Sequence, residues 1–173
     1  MKRLIIFVSL FWRLLDPELL FSQDMPPCQG TPYELAQKLI GTWQEFVETD
    51  DGEQLIGSLD VSFELNGCVL KQKFFSPDSS FSFLSFGYVD PSTNMWNETF
   101  VLNNGKVASY YWTLDNNEIH LNRFTGDPEN LRRLRIINLS DNNYEVMDEK
   151  SSDSGNTWKL VELVKTRRMK TVK

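Results

Sequence analysis

The sequence predicts an all-β chain: an antiparallel, up-and-down β-barrel of about 8–10 strands behind one short N-terminal helix. Two observations carry that reading. From residue 43 onward, short β-rich runs follow one another at close intervals, each bounded by turn-forming residues, and no helical period interrupts them. A meander of so many short strands also exposes unpaired edges unless it closes on itself, which favours a barrel.

The helix comes first. Thr31-Pro32-Tyr33-Glu34 has the pattern of a capping box with proline at the first helical position, and it predicts a helix to about Ile40 that Gly41 stops. Strand signals begin at Trp43. Leu55, Gly57, Leu59, Val61, Phe63 and Leu65 alternate with Ile56, Ser58, Asp60, Ser62 and Glu64, the signature of a strand with one buried face. Further β-rich runs cover 68–76, 81–89, 96–102, 107–114, 118–124, 131–138, 143–148 and 157–165. Asn66-Gly67, Asp90-Pro91, Asn103-Asn104-Gly105, Asp115-Asn116-Asn117, Gly126-Asp127-Pro128 and Asp141-Asn142-Asn143 separate them with residues that tolerate turn geometry.

The two ends read differently. Met1-Lys2-Arg3 followed by the apolar run Leu4 to Trp12 has the form of a secretory signal peptide over 1–22, and the run is too short for a membrane span. Residues 23–30 then read as a linker, 31–168 as the barrel domain and 169–173 as a basic tail. The expected location is periplasmic or extracellular, with no integral membrane association. Removing 1–22 leaves 15 basic and 22 acidic residues. That acidic balance argues against nucleic acid as a partner, and the basic cluster of Lys165, Arg167, Arg168, Lys170 and Lys173 reads as solvated. Cys28 and Cys68 form one disulfide in an oxidising compartment or stay as two buried thiols.

Gly41-Thr42-Trp43, at the junction of helix and first strand, resembles the Gly-x-Trp motif of the lipocalins and their calycin relatives. The resemblance implies that Trp43 closes one end of the barrel under an arginine of the last strand. Arg167 or Arg168 stands in the right part of the chain, Arg167 is assigned the contact, and a cation–π pair of this kind contributes about 0.5–2 kcal/mol. More broadly, Leu39 to Trp43, Leu65-Asn66-Gly67 with Lys71-Gln72, Phe86 to Asp90 with Trp96, and Ser151 to Trp158 with Arg167 together resemble a bacterial calycin-like family classed as a domain of unknown function. That likeness implies the fold and no activity. Ser151-x-Asp153-x-Gly155-x-Thr157-Trp158 matches the Asp-box hairpin, where Asp153 binds turn amides, Gly155 takes positive φ and Trp158 packs beneath. One full copy is too few for a propeller, and Ser76-Pro77-Asp78-Ser79 begins like a second but lacks the glycine.

Few residues offer catalytic chemistry. His120 is the sole histidine, and no Cys or His spacing suits a metal, so neither metal nor cofactor is expected. Glu98 alternates with Trp96, Phe100 and Leu102, and Arg123 with Ile119 and Leu121, which predicts an inward-facing Glu98–Arg123 pair, either a strut or a ligand anchor. Arg133 and Arg135 read as solvent-facing, flanking inward Leu134. With aromatics such as Phe83 and Tyr111, Glu98 and Arg123 form the candidate ligand-binding set. The function these residues favour is binding of a small hydrophobic or amphipathic molecule. The alternatives are a carboxylate-dependent barrel enzyme, an isomerase or hydrolase, and a ligand-free accessory protein.

Overall fold

The computed structural model describes residues 28–124 and 127–170; the expected signal peptide and most of the linker lie outside the described residues, as do the last three residues of the basic tail. Helix α1 (Thr31–Leu39) precedes ten strands: β1 (Gly41–Thr49), β2 (Gly52–Glu64), β3 (Val69–Phe75), β4 (Ser82–Asp90), β5 (Met95–Leu102), β6 (Val107–Asp115), β7 (Glu118–Arg123), β8 (Leu131–Ile137), β9 (Asn143–Ser151) and β10 (Lys159–Arg168). Every strand pairs antiparallel with its chain neighbours, and β1 also pairs with β10, so the sheet closes into a barrel without a free edge. Asparagines at positive φ, among them Asn66, Asn94, Asn116, Asn117 and Asn138, make the tight reversals. Their short polar side chains lower the cost of the left-handed conformation.

One end of the barrel is plugged. Ala36 and Leu39 of α1 are buried there, and Tyr33 of the same helix meets the edge of Trp96 at 5.1 Å. Trp43 is wholly buried, and its indole N–H donates to the Leu39 carbonyl at 2.8 Å. Arg168 lies 4.0 Å above the Trp43 ring and donates to the carbonyls of Ile40 at 2.6 Å and Lys38 at 3.3 Å, and also to that of Asp141. These donors meet orphan carbonyls at the helix C-terminus, where positive charge is also favoured by the helix dipole. The cap is therefore Arg168. Arg167 sits on the outer face, over Phe46 and hydrogen-bonded to Glu53 at 2.7 Å, because adjacent strand residues point to opposite sides.

Local details correct other expectations. The N-cap of α1 is Gly30, with Thr31 and Pro32 already in the first turn and no side-chain cap bond, so no capping box forms. Ile40, with extended backbone, ends the helix. Gly41 serves a different purpose: its φ is +139°, and a Cβ there would lie 2.1 Å from the Arg168 guanidinium. Within the last strand, which runs to Arg168, Lys165 is not simply solvated but pairs with Glu48 and Glu53. Cys28 and Cys68 are joined by a disulfide, Cα atoms 5.1 Å apart, which ties the arm before α1 to the β2–β3 turn.

At the opposite, open end the β9–β10 hairpin has the hydrogen bonds of an Asp-box. Asp153 accepts from Ser151 Oγ at 2.7 Å, Thr157 N–H at 2.9 Å and Thr157 Oγ1 at 2.6 Å, while Gly155 takes φ +86°. Those donors hold the Asp153 carboxyl down at about 2. Trp158 donates to the Gly155 carbonyl and carries the Arg133 guanidinium 4.0 Å over its ring. The β3–β4 turn, also at the open end, repeats the device without the glycine: Asp78 accepts from Ser76 Oγ and from Ser80 N–H and Oγ, and Ser79 itself takes φ +59°.

Candidate functional site

Above the plug the barrel is hollow. A cavity of about 450 Å³ occupies the interior, within the size range of small-molecule sites. Its walls differ in character. Phe81, Phe83 and Phe100 supply one side, with Phe83 meeting Phe100 edge-on at 5.3 Å and Phe74 stacked against Phe83 at 5.2 Å. The strands from β6 round to β1 supply the other, where Tyr110, Arg123, Arg132, Tyr144, Asp148, Glu162 and Glu45 share the lining with Leu121, Leu134 and Val146.

Glu98 lies beneath this space and is fully buried. Trp112 Nε1 donates to one carboxylate oxygen at 2.9 Å, while Ser85 Oγ at 2.7 Å and the Gln72 amide donate to the other. Burial raises its pKa and the three donors pull the other way. Trp112 is stacked at 4.6 Å on Trp96, and Gly87 lets Trp96 lie close, since a Cβ there would be 2.6 Å from the Trp96 indole nitrogen. Glu98 is thus a strut held by neutral donors.

Arg123 is not its partner. In the sheet register Tyr110 lies opposite both Glu98 and Arg123, so the two charged residues share the inner face but stand two strands apart, about 10 Å at ordinary strand spacing. Arg123 is exposed at the mouth and forms no ion pair with any described residue. The ion pair that does lie inside joins Arg132 and Asp148, with Arg132 Nε donating to Oδ1 at 2.7 Å. Tyr111 points outward, opposite Asn97 and Asn122 and against Phe124, so it does not line the cavity, and Tyr110 takes its place. Phe83 is in the wall. Arg133 and Arg135 lie outside, paired with Glu149 and Glu118, and His120 is beside Glu118 on the same face.

Glu45 and Glu162 were not singled out by the sequence; both line the cavity, Glu45 part-buried and Glu162 exposed. Neither makes a hydrogen bond or ion pair with a described residue. Burial first, and repulsion from Glu162 second, push the Glu45 carboxyl up to about 7. Tyr144, buried beside Glu45, is raised well above 10, chiefly by burial. Among the described residues no group of His, Cys, Asp and Glu is arranged to hold a metal ion, and no helix is long and apolar enough to cross a membrane.

A closed ten-stranded antiparallel barrel with a helix-plugged end and a hollow, two-sided interior has the lipocalin-like fold. A solved structure with this architecture is that of an S-type phycobiliprotein lyase from Guillardia theta, similar at a TM-score of 0.50 with 11% identity over 84% of this chain and 97% of that one. At that identity the likeness establishes the fold alone. The sequence matches no protein-family model and no curated protein.

Proposed function

We propose that this protein binds a small amphipathic molecule inside the barrel, outside the cytoplasm, in the periplasm or the extracellular medium. The observation that carries the reading is the two-sided cavity: aromatic rings on one wall to cover an apolar body, charged groups on the other to hold a polar end. Arg123, at the mouth and without an ion-pair partner among the described residues, is the group that meets a ligand's polar atoms first. The phycobiliprotein lyase likeness is compatible with a small-molecule barrel. Export is supported by the charged start and apolar run of residues 1–12 and by the Cys28–Cys68 disulfide, a bond that persists in oxidising compartments. The hollow interior counts against a ligand-free accessory role. Kinship with the calycin-like family of unknown function rests on the residues quoted for it.

A second reading, carboxylate-dependent catalysis, is favoured by Glu45 rather than Glu98. A carboxyl near neutrality that faces a cavity suits general acid–base work, whereas all of Glu98 is engaged in holding the barrel together. The test is native mass spectrometry of protein purified gently from its source, together with titration of an apolar fluorescent dye. A co-purifying small molecule is expected, and Ala108→Trp, which fills the cavity from β6, is expected to abolish dye binding while the circular dichroism stays unchanged. Equal dye binding by both proteins would overturn the reading. The intact mass should correspond to a chain beginning near Gln23, and a cytosolic product retaining Met1 would contradict export.

A further inference from the structure

The charges inside the barrel are segregated. Arg132 and Asp148 neutralise each other, and Glu98 is sealed among neutral donors. Left over are two carboxyls, Glu45 and Glu162, on the adjacent strands β1 and β10, and two cations across the cavity, Arg123 on β7 and Lys106 in the β5–β6 turn. The carboxyls are thus separated from the two lining cations that make no ion pair with a described residue.

We propose that Glu45 and Glu162 are the recognition subsite for a cationic group, a protonated amine, on the amphipathic ligand. The inference rests on the reading that the cavity binds a small molecule and names the class of that molecule. Glu45 is part-buried, faces the cavity and has no partner among the described residues, so a ligand ammonium supplies a counter-charge at a lower desolvation cost than at an exposed carboxylate. The aromatic wall of Phe83 and Phe100 covers the apolar remainder. A purely anionic ligand meets Arg123 but also brings a like charge towards the carboxyls.

The groups facing Glu45 set its response to pH. Glu162 comes from β10, Tyr144 and Asp148 from β9, and Arg132 from β8. Arg123 on β7, Tyr110 on β6, Lys106 in the β5–β6 turn and Glu98 on β5 complete the titratable set around the interior. Tyr144 stays neutral at all physiological pH, so near pH 7 the Glu45 proton is the one that moves. A bound ammonium drives it off. At pH 7 that is about half a proton per ligand, and affinity for the amine increases between pH 6 and 8.

Isothermal calorimetry on the full mature chain at pH 7, in two buffers of different ionisation enthalpy, decides the matter with three probes of one shape: tryptamine, 3-methylindole and indole-3-acetate. Tryptamine is expected to bind about tenfold or more tightly than the other two and to release protons, and Glu45→Gln is expected to lose most of that preference and the proton release. The inference is overturned if the neutral or acidic analogue matches tryptamine, if Glu45→Gln keeps the preference, or if none of the three binds. Apolar dye binding in the same preparation separates the cases: dye excluded by Ala108→Trp leaves the cavity reading standing, and dye indifferent to that change removes both.

Discussion

Glu45→Gln converts the buried carboxyl into a measurable pH profile. The folded protein holds the Glu45 proton to about 7 against an ordinary value of 4.5, with burial the larger cause and Glu162 the smaller. At about 1.36 kcal/mol per pKa unit the difference amounts to about 3 kcal/mol. The sign follows from which state binds the proton more tightly. Because the folded value is raised, the contribution is fully present below about pH 4.5, declines as pH rises, and is lost above about 7. Glutamine carries no proton to lose, so relative to wild type the variant should gain about 3 kcal/mol between pH 4.5 and 8.5, whatever fixed cost its unpartnered amide adds. Urea denaturation of both proteins at five pH values gives this difference, and carboxylates with lowered pKa, such as Asp153 and Glu118, cancel from it. A difference flat to within about 0.5 kcal/mol would refute the placement of an unpartnered carboxyl inside the barrel. Glu162→Gln should move the upper limb of the wild-type profile to lower pH.

Four further outcomes test the rest of the architecture. Trp43→Ala should cost about 3–5 kcal/mol in chemical denaturation, as expected for a buried aromatic, and a loss below about 1 kcal/mol would mean that Trp43 does not seal the barrel. Arg168→Ala should cost about 2–4 kcal/mol because it strips donors from the helix-end carbonyls, whereas Arg167→Ala should stay within about 1 kcal/mol, and the reverse order would put the wrong arginine over the ring. Glu98→Ala should cost about 3–5 kcal/mol by orphaning three donors, while a double-mutant cycle with Arg123→Ala should give a coupling below about 0.5 kcal/mol; a coupling of several would restore the ion pair. Reducing the Cys28–Cys68 bond, which spans 40 residues of sequence, should lower stability by about 4 kcal/mol, read as a shift in the urea midpoint, and an unchanged midpoint would show that the bond does not constrain the unfolded chain.

Period-two alternation made much of the barrel interior readable. It put Glu98, Phe83, Leu134 and Ile136 on the inner face, and the same rule applied to Leu134 and Ile136 would have put Arg132 there too. Glu45 was harder to see. Counting two residues from Trp43 gives it an inward position, since the extra residue of the bulge at Glu45/Phe46 is Ile56 on β2, but an inward carboxyl beside the outward aromatic Phe46 inverts the polarity that alternation is read from. On β10 a bulge with Val161 as the extra residue breaks the alternation of that strand itself and hides Glu162. The supposed Glu98–Arg123 pair failed for another reason. Alternation assigns a face and says nothing about which strands lie side by side, so only the register places Tyr110 between them. At the closed end, Arg167 and Arg168 differ by one position in the chain and by opposite sides of the sheet, and the proximity of Trp43 to the helix end selects the second.

The two serine–aspartate turns both stand at the mouth, and each carries an aspartate held down at about 2. Those carboxylates keep their hydrogen bonds until the pH falls through about 2, far below the range in which Glu45 titrates. The rim at these two hairpins is therefore already ordered before a ligand arrives, so little conformational entropy is left to lose there on capture. Acidification from neutrality changes the charge at the floor of the cup while leaving those hairpins of its lip in place, a division between a responsive interior and a stiff gateway.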